Sequence, residues 1–155
     1  MTFQITPLSD ARFQTLFAMD EDALRRLGVI RMRADRRPGF PCRVSLEDAL
    51  PGETVMLAPY AHLDADSPYR ASGPVFVREG ARPAAPAPGE VPDMLRLRPL
   101  SLRAYDAASL MVAADVVDGR HLEHGIARLF DEAAVRFLHV HFARPGCYAC
   151  RVDRV

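Results

Sequence analysis

Short apolar segments separated by turns that contain proline and glycine constrain the fold of this chain most strongly. Alternation of apolar and polar side chains predicts strands, because successive side chains of a strand point to opposite faces. The connections between these segments are mostly of hairpin length, which is typical of antiparallel pairing. We predict about seven strands, at 29–34, 54–60, 75–78, 100–105, 110–117, 135–142 and 147–155.

Helical signals are fewer and shorter. One helix is predicted after Ser9 and a second between Asp20 and Gly28, with Leu24 and Leu27 on its buried face. The clearest helix follows Asp118, because apolar residues there recur at i, i+4, i+7 and i+8. About three helices and seven strands, without βαβ repetition, predict an α+β fold with a mostly antiparallel sheet in one globular domain spanning 1–155.

Composition excludes several function classes. The 155 residues carry 20 basic and 20 acidic side chains, and every basic one is arginine. Schiff-base chemistry and phosphate-binding P-loops both need lysine. A zero net charge does not favour nucleic-acid binding. The absence of a long apolar run and of a signal peptide, together with three cysteines, predicts a cytoplasmic protein that has no membrane partner.

Two similar segments stand out within the chain. Residues 37–44 and residues 144–152 both begin Arg-Pro-Gly and both continue to Cys-Arg-Val after a spacer. They are either related loop–strand elements that converge and bring Cys42 near Cys150, or unrelated Pro-Gly turns that each enter a strand. Arginine-rich codon usage of a GC-rich bacterial genome offers a competing explanation for the shared arginines.

The C-terminal hairpin holds two histidines and two cysteines within twelve residues. His139 and His141 share a face of their strand. A turn at Pro145-Gly146 would pair His141 with Cys150, so that only Cys150 joins the histidines. We expect no cofactor; zinc is the alternative. Its candidate ligands are Cys42, His139, His141, Cys147 and Cys150.

A third candidate is the segment 67–79, in which Tyr69, Arg70 and Arg78 surround a Gly-Pro bend. Arginine binds carboxylate or phosphate groups through two parallel hydrogen bonds, so this loop can hold an anion. The structural alternative is a turn whose two arginines pair with nearby acids.

The chain resembles a bacterial family known as domain of unknown function 1203. The resemblance rests on 37–49, 67–79, 103–106 and 139–154, and the C-terminal stretch from His139 to Arg154 is its most specific part. It implies a small bacterial, cytosolic protein of one domain. It implies no activity, cofactor or catalytic residue.

The leading hypothesis is a binding module for a small anionic molecule or for an acidic segment of a partner protein. The candidate ligand-binding residues are Arg37, Arg43, Tyr69, Arg70, Arg78, His139, His141, Arg144 and Arg151. One alternative is a metal-binding or catalytic protein centred on the hairpin with His139, His141, Cys147 and Cys150. Another is a structural or interaction module without a site, such as a homodimer formed through a strand edge.

Overall fold

A computed structural model describes residues 2–155 and arranges ten strands in two sheets of five. Sheet I has the strand order β1-β10-β9-β7-β8, and all its neighbouring strands are antiparallel. Its strands are β1 (Phe3–Thr6), β7 (Pro99–Tyr105), β8 (Met111–Asp118), β9 (Phe137–Phe142) and β10 (Tyr148–Arg154).

Sheet II has the order β2-β5-β6-β3-β4 and is antiparallel except for the β3–β6 pair. Its strands are β2 (Ile30–Arg33), β3 (Pro41–Cys42), β4 (Glu47–Asp48), β5 (Thr54–Leu63) and β6 (Ala71–Arg78). The four α-helices are α1 (Ala11–Gln14), α2 (Glu21–Arg26), α3 (Asp93–Arg96) and α4 (Leu122–Phe130).

Helix α4 covers one face of sheet I. Its apolar stripe is buried in a core shared with β7, β9 and β10, as the i, i+4, i+7, i+8 spacing predicts. Gly125 lets the helix approach closely, because a Cβ there would lie 2.8 Å from the Leu102 side chain. The opposite face of sheet I turns toward sheet II.

A second core forms where helices α1 and α2 pack on sheet II. It contains Leu24, Cys42, Met56 and, from sheet I, Tyr148. Arg43 also joins the two sheets, because its Nε donates a hydrogen bond to the Tyr148 carbonyl oxygen at 2.8 Å. Side chains between the sheets therefore come from chain segments far apart in sequence.

The predicted α+β class with mostly antiparallel pairing is confirmed, whereas the predicted seven strands and three helices were too few. Strands β3 and β4 have two residues each, which is too short for an alternation of apolar and polar residues to be recognised in the sequence. Residues 45–49 form a turn and strand β4. Leu27, predicted to be buried, is 50% exposed, because α2 ends at Arg26 and Gly28 turns the chain with φ of +70°. Within 2–155, no helix is long and apolar enough to cross a bilayer.

Candidate functional site

The two Arg-Pro-Gly loops meet at one cleft between the sheets. This arginine cleft has a volume of about 510 Å³ and contains four arginine side chains. Within residues 2–155, no aspartate or glutamate lines it. Its lining residues are Arg36, Pro38, Gly39, Pro41, Arg43, Phe76, Arg98, Pro99, Phe142, Arg144, Pro145 and Cys147.

Arg43 is the most unusual residue of the cleft, because it is only 1% exposed. Its Nη1 donates to the Pro41 carbonyl oxygen at 2.6 Å, and its Nε donates to Tyr148. Its side chain also hydrogen-bonds to Cys147. Burial lowers the pKa of Arg43 to about 10, an effect that Cys147 partly offsets. The guanidinium therefore stays protonated at neutral pH, and residues 2–155 form no salt bridge with it.

The other three arginines of the cleft differ in whether an acidic side chain neutralises their charge. Arg98 forms a short ion pair with the buried carboxylate of Asp48. Arg36 forms an exposed ion pair with Asp35 at 2.9 Å. Arg144 is exposed, and no ion pair or side-chain hydrogen bond joins it to another described residue. Among the described residues, Arg43 and Arg144 are thus the two cations of the cleft that have no carboxylate partner.

The wall of the cleft is apolar and partly aromatic. The Phe142 ring lies 4.8 Å from the Arg43 guanidinium carbon and 5.1 Å from that of Arg98. Such cation–π contacts orient a guanidinium without neutralising its charge. Phe76 and four prolines complete the wall. The cleft therefore combines positive charge with an apolar surface.

A second group of side chains, the histidine cluster, lies between the sheets and comprises His62, His139 and His141. Their ring centroids are 5.0 Å apart for His62–His141, 6.0 Å for His62–His139 and 6.3 Å for His139–His141. Tyr148 stacks on His62 at 5.4 Å and meets both other rings edge-on. Strands β5, β9 and β10 supply these residues.

Most ring nitrogens of the histidine cluster lack a hydrogen-bond partner. His139 and His141 are 2% and 1% exposed. Both nitrogens of His62, Nδ1 of His139 and Nε2 of His141 are buried and unpaired among the described residues. His141 Nδ1 lies 3.1 Å from the carbonyl oxygen of Gly146, which belongs to the second Arg-Pro-Gly loop.

Burial and neighbouring cations keep these imidazoles neutral. Desolvation lowers the pKa of His139 to about 3 and that of His141 to about 4. The pKa of His62 is also lowered, by desolvation and then by Arg103. Arg103 pairs with His139 across β7 and β9 and acts on all three histidines. At neutral pH each ring therefore offers a lone pair.

The structure separates the sequence-predicted ligand residues. Arg43 and Arg144 line the arginine cleft, and His139 and His141 lie in the histidine cluster. Arg37 lines an adjoining cavity of about 660 Å³ that contains acidic and basic residues together. Because carboxylates and guanidinium groups line this cavity together, its charge does not favour an anion.

The remaining predicted residues lie elsewhere and have partners. Exposed Arg70 pairs with Asp64 at 2.6 Å, and Arg78 pairs with Glu53 at 3.3 Å. Tyr69 packs edge-on against Tyr105 with ring centroids 6.2 Å apart. Arg151 binds Asp153 through both carboxylate oxygens. In the segment 67–79 both arginines thus pair with acids, as in the structural alternative, but Gly73 and Pro74 lie within strand β6 rather than in a bend.

The predicted register of the C-terminal hairpin was wrong. His141 pairs with Tyr148 rather than with Cys150, so the turn itself sets a different register from the predicted one. A β-bulge between Tyr148 and Cys150 shifts the register again, and Cys150 pairs with Val140. Cys150 therefore packs in the α4 core, where burial raises its thiol pKa to about 12. Cys42 is buried, and its sulfur accepts hydrogen bonds from backbone N–H groups of Ser45 and Arg78.

The cysteines therefore do not join the histidines. Cys147 lies in the arginine cleft beside Arg43. Across the described chain, no three His, Cys, Asp or Glu side chains are arranged to hold one metal ion.

Sequence reasoning missed three residues that matter here. His62 lies beyond the predicted strand 54–60, whereas β5 extends to Leu63; the spacing of two residues from Tyr60 was the available signal. Arg36 is absent from the predicted ligand-binding residues, because nothing in the sequence distinguishes it from the adjacent Arg37. Arg98 carried no local signal, because its cleft position depends on the pairing with Asp48 fifty residues away.

The two facing sheets and the cleft between them define an α+β protein with a cavity of ligand size. The chain belongs to the family described as Protein of unknown function (DUF1203), whose family model matches residues 39–154. This confirms the resemblance found in the sequence. No curated protein and no solved structure gives a significant match.

Proposed function

We propose that this protein binds a small molecule whose carboxylate or phosphate group is attached to an apolar body, and that the arginine cleft is the binding site. The observation that carries the proposal is the buried Arg43 guanidinium, which has no carboxylate partner. Arg144 at the second loop provides another unpaired cation next to it.

Burial of the Arg43 guanidinium costs free energy that no described carboxylate offsets. Buried charges in proteins are normally paired, since removal of an ion from water is expensive. Arg43 contacts two carbonyl oxygens and a sulfur, and none of these partners is a carboxylate. An anion in the cleft would supply the missing charge and accept charge-assisted hydrogen bonds.

The shape of the cleft favours a small molecule. A volume of about 510 Å³ lies within the usual range of ligand pockets, which combine apolar walls with a few polar groups. An acidic segment of a partner protein would need a wider cationic surface. Arg70, Arg78 and Arg151 would have to supply it, but they lie outside the cleft and pair with acids.

Titration with phenyl phosphate and inorganic phosphate, followed by calorimetry, tests the proposal. We expect saturable binding of phenyl phosphate to one site, about tenfold or more tighter than phosphate, because the ring would bury apolar surface. Arg144→Gln should weaken binding about tenfold through loss of one charge-assisted contact.

Arg70→Gln is the matched control, because Arg70 is also exposed but pairs with Asp64 away from the cleft. Its affinity for phenyl phosphate should equal that of the wild type. Binding that does not saturate, or equal losses in both variants, would show that general surface charge attracts the anion and would refute the proposal.

A further inference from the structure

We propose that the cavity of about 660 Å³ beside the arginine cleft binds a small organic cation, namely a primary ammonium group carried on an apolar body. We call it the acidic cavity, because the carboxylates of Glu47, Glu90 and Asp93 line it. It shares Pro38 with the arginine cleft but none of the four arginines of that cleft. The proposal is therefore independent of anion binding in the cleft.

The free charge of the acidic cavity is negative. Arg96 forms an ion pair with Glu123, and Asp48 forms one with Arg98, so these two lining residues are already neutralised. Among residues 2–155, none of the three carboxylates that define the cavity forms a salt bridge, and neither does Arg37, the remaining lining cation. Three carboxylates against one guanidinium leave a net charge of −2. An excess of one sign of charge in a cavity attracts ligands of the opposite sign.

The three carboxylates come from two segments that both line the acidic cavity. Glu47 begins β4, whereas Glu90 and Asp93 lie at the start of α3 and just before it. All three side chains are exposed. Glu90 accepts a hydrogen bond from the Ala87 backbone N–H at 2.7 Å, and no side-chain hydrogen bond joins Glu47 or Asp93 to another described residue. A ligand between the two segments can therefore use carboxylates that the fold leaves free.

A buried hydroxyl group in the wall of the acidic cavity has no hydrogen-bond partner. Ser45 lines the cavity, and its Oγ is buried and unpaired among the described residues. The turn holds this residue in place, because the Ser45 N–H donates to Cys42 Sγ at 3.5 Å and the Leu46 N–H donates to the Cys42 carbonyl oxygen at 2.9 Å. Buried hydroxyl groups are normally hydrogen-bonded, since an unpaired one costs free energy. An ammonium group near Glu47, two residues away, would supply the missing donor.

Much of the remaining wall is apolar. Leu46, Val91 and Met94 are buried and line the acidic cavity, and Leu97 lines it although it is 62% exposed. The cavity volume lies within the usual range of ligand pockets. An apolar body placed against these side chains would be removed from water, while its ammonium group reaches the carboxylates. The cavity thus fits a cation with an apolar body better than a small hydrated ion.

The lining distinguishes a primary ammonium group from other cations. Within residues 2–155 it contains no aromatic side chain, whereas quaternary ammonium ions are typically recognised by aromatic cages. A primary ammonium group has three N–H donors, which can bind the Ser45 hydroxyl and carboxylate oxygens together. No three acidic side chains of the described chain are arranged to hold a metal ion. The acidic cavity therefore favours a cation that donates hydrogen bonds.

Calorimetric titration with 2-phenylethylammonium tests the proposal. We expect saturable binding to one site per chain. The N,N,N-trimethyl analogue should bind about tenfold or more weakly, because it keeps the charge and the phenyl ring but cannot donate hydrogen bonds. Equal or tighter binding of the trimethyl analogue would overturn the proposal, and so would the absence of saturable binding.

Two substitutions examine the charged and the neutral part of the site. Glu47→Gln should weaken binding of 2-phenylethylammonium about tenfold, because it removes one charge-assisted contact. Ser45→Ala should weaken it by a similar factor and leave the affinity for the trimethyl analogue unchanged, because only the primary ammonium group can donate to the hydroxyl. Neither substitution removes a side-chain hydrogen bond within the described chain, so both variants should fold.

Glu132→Gln is the matched control. Glu132 is exposed, forms no salt bridge within residues 2–155 and lies outside the lining of the acidic cavity. The control should bind 2-phenylethylammonium like the wild type. Equal losses in Glu47→Gln and Glu132→Gln would show that general surface charge attracts the cation, and unchanged binding in Glu47→Gln would place the cation elsewhere. Either result contradicts the proposed site.

Discussion

The arginine cleft and the histidine cluster lie in the same layer between the sheets, yet burial has opposite consequences in them. Burial lowers the pKa of Arg43 to about 10 and that of His139 to about 3. The ordinary pKa of arginine lies so far above neutral pH that a lowered value still leaves the side chain charged, whereas a lowered pKa leaves histidine neutral. The arginine cleft therefore holds a cation, Arg43, that has no carboxylate partner. The histidine cluster consists of neutral rings that offer lone pairs.

The largest expected effect comes from acid titration of the protein. His139 and His141 have folded-state pKa values of about 3 and 4, below the unfolded value of about 6.5. Between pH 6.5 and 4.5 the unfolded chain binds protons that the folded chain does not, so stability falls as pH falls. The free energy of unfolding should drop by up to about 5 kcal/mol across this window and level off above pH 7.

Urea denaturation at several pH values in EDTA measures this slope. His139→Phe should reduce the slope by about one proton, since the phenyl ring cannot titrate. Exposed His121→Gln should leave it unchanged. An unaltered slope in His139→Phe would mean that the histidine cluster already takes up protons in the folded state.

The second prediction concerns Arg43 itself. Arg43→Met removes charged donors from two buried carbonyl oxygens, each bond being worth about 1.5–3 kcal/mol, and also removes the cost of a buried charge. We expect a net loss of about 3 kcal/mol in the free energy of unfolding, measured by urea denaturation. Arg144→Met should change it by less than about 0.5 kcal/mol. A change below about 1 kcal/mol for Arg43→Met would show that the guanidinium is effectively solvated.

The smallest expected effect is a change in the affinity for phenyl phosphate, and it tests the arginine cleft most directly. Asp48 neutralises Arg98, and its Oδ1 accepts a hydrogen bond from the Gly39 backbone N–H. Asp48→Asn should release Arg98 as a further free cation and raise the affinity for phenyl phosphate by up to about tenfold. Calorimetry checks this, with Asp64→Asn beside Arg70 as control. An unchanged or lower affinity in Asp48→Asn would place the anion away from Arg98.

Local patterns in the sequence predicted much of the fold. Alternation located β2 and β9, and the apolar stripe located α4, because each pattern follows directly from the geometry of the element. The β-bulge between Tyr148 and Cys150 had no such signal. It pairs Cys150 with Val140 instead of a histidine, and Cys150 packs in the α4 core, away from His139 and His141.

The candidate site was predictable only in part. The repeated Arg-Pro-Gly pattern identified both loops of the arginine cleft, and the His-x-His pattern identified two rings of the histidine cluster. Arg70, Arg78 and Arg151 were indistinguishable from Arg43 in the sequence. An arginine forms an ion pair only where the fold places an acidic side chain beside it, as it places Asp64 beside Arg70 and Glu53 beside Arg78.

The sequence by itself determined the α+β class, the family and the absence of lysine chemistry, because these depend on local pattern and composition. The tertiary structure alone decided which charges are buried and which lone pairs are unpaired. It placed Arg43 against Tyr148 across 105 residues and His62 against His139 and His141 across the two sheets. Desolvation acts on a side chain through its neighbours in space, and for these residues the neighbours come from distant parts of the chain.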